Sequence, residues 1–238
     1  MPSLKSLVEG YGGYHTWNFK QTSMAVTRVT IFDSKTRWGI CAGLATEWIK
    51  EHVNGRSLVT QLGGVAGQSL RLAGIRPVAK LHASASGGNG YQQEVMLTRY
   101  LSEHGVITRG RIQKAPAPYE ILNDAGHRAL KDSCHSVDVP MYDIQEMIVD
   151  NMKKHRDCYL RISFGGKAYR FRAGHAVAAW MGGRGEDAAF FDPNYGEFWF
   201  EDKEMFFLFF QAFYRKYYRN SLVKYDRYFD IIPCGKRV

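Results

Sequence analysis

An α+β domain is predicted from three observations. Apolar residues recur at helical spacing through the first two-thirds of the chain, strand-like apolar runs follow Cys158, and Gly-rich turns join those runs. With 238 residues the chain suffices for one domain, and a composition 45% hydrophobic and 14% aromatic can fill a core without disulfide staples. Cys41, Cys134, Cys158 and Cys234 are widely spaced and read as free thiols of a reducing compartment.

Residues 1–30 are expected to form an N-terminal arm or edge segment ahead of a main domain at 31–238. Within the arm, the β-branched stretch Ala25–Phe32 (AVTRVTIF) reads as a strand. From Gly39 onward Ile40, Leu44 and Trp48, joined by Cys41, Ala45, Ile49 and His52, lie at three- and four-residue spacing. This is one buried face of a helix, stopped by Asn54-Gly55. A second helical region is expected at 58–73 and a loop at SASGGNG, 84–90. Helices follow at 91–103, 118–132 and 141–155, punctuated by His104-Gly105 and by APAPY at 115–119. Strands are then read at 159–164, 169–180, 188–192 and 197–200, a helix at 202–218 and a last strand at 225–233. The apolar run MFFLFFQAF at 205–213 falls short of the ~20 residues a membrane span needs and is read as a core helix.

The formal net charge is +9, but the basic residues are scattered, so they read as a solvated surface and nucleic acid is not a favoured partner. The N-terminus lacks the basic-then-apolar pattern of a Sec signal peptide. Glycine pairs at 63–64, 87–88 and 182–183 form no phosphate-binding fingerprint. Cys134, His135, His155 and Cys158 are the right residue types for zinc, but adjacent Cys-His cannot easily reach one ion, and no metal or organic cofactor is implied.

The chemistry concentrates on three residues. Cys41 opens its helix, where unpaired backbone N–H groups and the helix dipole favour a thiolate and the Cys41 N–H can face an oxyanion. His175, in GHAVAAW, lies in a strand of small and apolar residues that would hold its ring rigidly. Asp192 ends the next strand 17 residues on, where a hairpin brings a carboxylate beside His175 to fix its tautomer and stabilise the imidazolium.

The blocks WGICAGLATEWI, GHAVAAW and FFDPNYGEFWF resemble the signature blocks of the YopT/AvrPphB-type cysteine peptidases, over roughly residues 30–235. The resemblance implies a papain-like fold in which a helical half carries Cys41 and an antiparallel sheet carries His175 and Asp192. These would serve as nucleophile, general base and orienting acid through a thioester intermediate. It also implies a bacterial effector, delivered by a type III or type VI system into a recipient cell's cytoplasm. Its protein substrate would be drawn from small GTPases, kinases or ubiquitin-pathway proteins, and a secretion chaperone or immunity protein would be a further partner. Papain-like enzymes carry an Asn or Gln five or six positions before the nucleophile, whereas residues 31–40 contain neither, which leaves Thr36, Lys35, Ser34 or a residue from elsewhere as oxyanion donor. Glutamine deamidation and acyl transfer (transglutaminase chemistry) use the same triad, and a non-catalytic binding effector is the other class the missing donor allows.

Overall fold

The computed structural model describes residues 3–36, 39–63, 69–86, 90–108, 112–116, 144–168, 171–183, 187–219 and 224–237. Its strands are β1 (Gly13–Trp17), β2 (Val106–Thr108), β3 (Ile112–Pro116), β4 (Cys158–Ala168), β5 (Phe171–Met181), β6 (Ala188–Asp192), β7 (Gly196–Phe200) and β8 (Lys224–Lys236). They form one antiparallel sheet in the order β1-β7-β6-β5-β4-β8-β2, with β3 also on β8.

The central strands are apolar on both faces, so the sheet has to be covered twice. Along β5, Ala176 and Ala178 join a core with helices α3 (Cys41–Val53), α4 (Leu58–Leu62), α5 (Leu72–Ala85) and α6 (Gly90–Glu103). Val177, Ala179 and Met181 point the other way, into a core with α1 (Leu4–Gly10), α7 (Ile144–Met152) and α8 (Lys203–Tyr214). Phe191 and Phe190 of β6 divide likewise. Phe191 stacks on Trp48 at 6.1 Å and 7°, while Phe190 is ringed by Phe206, Phe209, Phe210 and Phe213. The aromatic run of 205–213 is therefore core, and no described helix is long and apolar enough to cross a membrane.

One arm element differs in kind from its sequence reading. Residues Met24–Thr30 form a helix, α2, where Ala25–Phe32 was expected to be a strand. Its buried residues, Val26 and Thr30, lie four apart with the exposed Arg28 between them; a strand would turn all three to one face, whereas a helix sets Arg28 apart from the other two, so packing overrides β-branched propensity. The arm's strand is instead β1, paired along β7. The helical stretch expected at 58–73 is divided, because Gly63 (φ +73°) ends α4 and α5 starts only at Leu72. The expected helix at 202–218 is α8 followed by one π-helical turn, Arg215–Arg219. The short strands β2 and β3 carry too few residues for a periodicity to show. The helix expected at 118–132 lies outside the described residues.

Candidate active site

The site forms where the start of α3 meets the end of β6. Gly39, at φ +127°, turns the chain so that Ile40 occupies the N-cap and Cys41 the first helical position. The Cys41 N–H is thus among the amides a helix leaves unpaired at its start. In the sheet, β6 pairs with β5 only as far as Phe191 opposite Ala178. Beyond that point β5 carries Ala176 and His175 toward the start of α3, and the Ala176 and Ala42 amides both act on the Cys41 sulfur.

His175 follows on the same strand and is 4% exposed. Its Nε2 lies 3.0 Å from Asp192 Oδ1, and its side chain is hydrogen-bonded to Cys41, for which Nδ1 is the remaining ring nitrogen. The three residues singled out in the sequence therefore touch in series. Thiol and imidazole bias each other. Burial pushes the Cys41 thiol up, but the hydrogen bond and charge of His175, helped by the Ala176 and Ala42 amides, hold it below its ordinary value. Burial likewise pushes His175 down, and the charge and hydrogen bond of Asp192, with those of Cys41, more than reverse this, raising it. Both shifts favour a thiolate–imidazolium pair.

The turn FDPNYG explains why Asp192 can be fully buried as a carboxylate. Oδ1 accepts the Asn194 N–H at 2.8 Å as well as His175, and the Asp192 carbonyl accepts the Tyr195 N–H at 3.0 Å. Gly196 then closes the hairpin at φ +104°, and a Cβ there would stand 1.9 Å from the Trp17 carbonyl oxygen. Gly196→Ala is accordingly expected to destabilise the fold by roughly 2–3 kcal/mol, read as a fall in thermal midpoint, because both backbone strain and a close approach to β1 oppose it.

Two residues of this site were missed in the sequence. Tyr218, on the π-helical turn, donates its hydroxyl to Asp192 Oδ2 and stacks on the His175 ring at 5.1 Å and 27°. Burial and the nearby Asp192 charge raise the phenol well above its ordinary value, so it stays a donor. Gln21, 20 residues before the nucleophile, spans the junction. Its Oε1 accepts the Ile40 N–H at 2.9 Å, its Nε2 donates to Asn194 Oδ1 at 2.7 Å, and its own N–H reaches the Pro193 carbonyl at 2.7 Å. A glutamine in a stretch without periodicity carries no signal that would single it out. Among the expected donors, Thr36 is 1% exposed and gives its hydroxyl proton to the Thr30 carbonyl at 2.9 Å, while Ser34 and Lys35 lie on the exposed turn leading to it. Of the set considered for zinc, Cys134 and His135 lie outside the described residues, and no metal-binding cluster occurs among the described ones.

A helix-borne thiol beside a strand-borne imidazole and a hairpin carboxylate defines the papain-like cysteine peptidase class. The chain belongs to peptidase family C58, described as Yersinia/Haemophilus virulence surface antigen, which it matches over residues 5–232. It is 28% identical over 242 residues to the cysteine protease YopT of Yersinia pseudotuberculosis, covering 100% of this chain and 66% of that protein. A cysteine protease yopT1 of Yersinia enterocolitica is 28% identical over 228 residues, covering 94% of this chain and 64% of the relative. The chain thus spans slightly less than two-thirds of the length of these relatives. In fold it is similar to the Pseudomonas avirulence protein AvrPphB, at a TM-score of 0.52 and 18% identity over 82% of this chain and 91% of that one.

Proposed function

We propose that this chain is a cysteine peptidase in which Cys41 attacks a peptide carbonyl as thiolate, His175 is the general acid and base, and Asp192 orients and stabilises the imidazolium. The observation that carries the reading is the continuous contact from sulfur through imidazole to a buried carboxylate. Attack forms a C–S bond. His175 then gives its proton to the leaving amine as the C–N bond breaks, leaving a thioester, and water deprotonated by His175 hydrolyses it. The family's virulence description and the cysteine proteases among its relatives support a secreted effector acting on a protein substrate in a recipient cell.

The tetrahedral oxyanion needs donors, and the Cys41 N–H is one. Gln21 is the second in this reading, since its carboxamide lies against Gly39 and the Ile40 amide, and an amide nitrogen that gives one hydrogen to Asn194 keeps another. Gln21→Leu is expected to lower kcat by roughly 10²–10³-fold with KM little changed, while Gln21→Ala together with a melting scan separates this from a loosened α3 entry.

Mass spectrometry of recipient-cell proteins exposed to wild type or Cys41→Ala tests the assignment. New peptide termini that appear only with the wild type are expected. Mass gains on glutamine without new termini would make the same residues a deamidase, and no difference between the two proteins would leave a non-catalytic binder.

A further inference from the structure

Helix α2 buries Val26 and Thr30 and leaves Met24, Arg28, Ile31 and Phe32 exposed. Ile31 keeps helical backbone angles (φ −63°, ψ −32°), so positions 24, 28, 31 and 32 share about 100° of helix surface, opposite the buried side. Met24 is 73%, Ile31 52% and Phe32 95% exposed, and the first and last are the two most exposed large hydrophobic residues among those described. A helix normally turns such residues inward, so an apolar outward stripe signals a surface that is covered in use.

The charge beside it indicates what covers it. A cavity of about 470 Å³ opens next to the stripe, floored by Val29, Ala79 and Ala83 and rimmed by the exposed Lys35, Arg76 and Lys80. Among the described residues Asp33 is the single acid lining it, and with Arg28 on the stripe their ratio is four cations to one carboxylate. Among the described residues none of these four cations is in an ion pair. An exposed apolar stripe beside a cluster of unpaired basic side chains suits an interface whose apolar layer lies beneath anionic groups, which is the headgroup region of an acidic bilayer.

We infer that α2 and the turn after it form a peripheral membrane-docking surface, with Met24, Ile31 and Phe32 entering the headgroup boundary and Arg28, Lys35, Arg76 and Lys80 engaging anionic lipid. No chemistry at Cys41 is involved, so this stands or falls apart from the peptidase reading. The contact is interfacial, made by exposed side chains of α2, the turn after it and α5.

Co-sedimentation of the full chain with phosphatidylcholine vesicles, with and without phosphatidylserine, tests it. Binding is expected only with phosphatidylserine and is expected to weaken as salt rises. Paired substitution Ile31→Ser with Phe32→Ser should reduce partitioning about tenfold or more, as should Arg76→Glu with Lys80→Glu. Lys154→Glu with Arg156→Glu changes net charge equally on another surface and should leave binding near wild type. Absence of binding at low salt would overturn the inference. So would equal loss in the two charge-reversal variants, which would mean that net charge alone binds, or binding unaffected by the serine pair. If light scattering shows a dimer that the serine pair disperses, a second copy of the chain is the occupant and the bilayer is not. All substituted side chains are exposed, so unchanged circular dichroism and melting are expected in each variant.

Discussion

Cys41→Ala is expected to lower kcat by roughly 10⁵–10⁶-fold, with the fold and melting temperature nearly unchanged. The residual rate would come from oxyanion donors and binding, because in the proposed mechanism the thiolate forms the new bond. Removing one small side chain at the first position of α3 leaves Ile40, Leu44, Trp48 and the rest of the buried face in place. The same pair of residues sets the pH response. A thiol held below its ordinary value and an imidazole raised above its own leave a window in which thiolate and imidazolium coexist. kcat/KM should rise with pH as Cys41 loses its proton and fall at higher pH as His175 loses its own. At mildly acidic pH, iodoacetamide should alkylate Cys41 well before Cys234, which burial pushes up to about 12, or the buried Cys158. Equal and slow labelling of all three in the wild type would contradict the ion pair.

The parts of this site that were legible in the sequence are those whose local pattern is also their structural cause. Cys41 stands on the buried stripe of a helix announced by Gly39, and the turn FDPNYG specifies its own geometry through an acceptor carboxylate, a φ-fixing proline and a glycine at positive φ. The strands of the C-terminal third were legible for the same reason, as short apolar runs between glycines. Gln21 and Tyr218 were hidden because their roles come from distant contacts. Gln21 acts across 173 residues on Asn194, and Tyr218 reaches His175 through a π-helical turn whose extra residue no helical periodicity anticipates. The α2 misreading has the same origin. Val26, Thr27, Val29 and Thr30 prefer strands locally, and only packing, which buries Val26 and Thr30 while leaving Arg28 outside, makes the segment a helix.

Asp192→Asn is the substitution that separates charge from shape at this site, and kcat is expected to fall by roughly 10⁴-fold. The amide is isosteric and could still meet His175 Nε2, the Asn194 N–H and the Tyr218 hydroxyl. It cannot neutralise an imidazolium that is 4% exposed. Without the carboxylate, burial is the largest remaining influence on His175 and lowers it, so the ring is neutral and Cys41 stays a thiol over the former window. The raised imidazole also ties Asp192 to stability. Its contribution is fully present below the unfolded imidazole's ordinary value and is lost as pH rises through the raised native value. The melting-temperature gap between wild type and Asp192→Asn should therefore be widest at acid pH and close on the alkaline side. Tyr218→Phe keeps both the charge and the stack on His175 and removes only one of the donors to Asp192, so it should cost far less activity. If Tyr218→Phe proved as damaging as Asp192→Asn, the hydroxyl rather than the carboxylate charge would be the essential element behind His175.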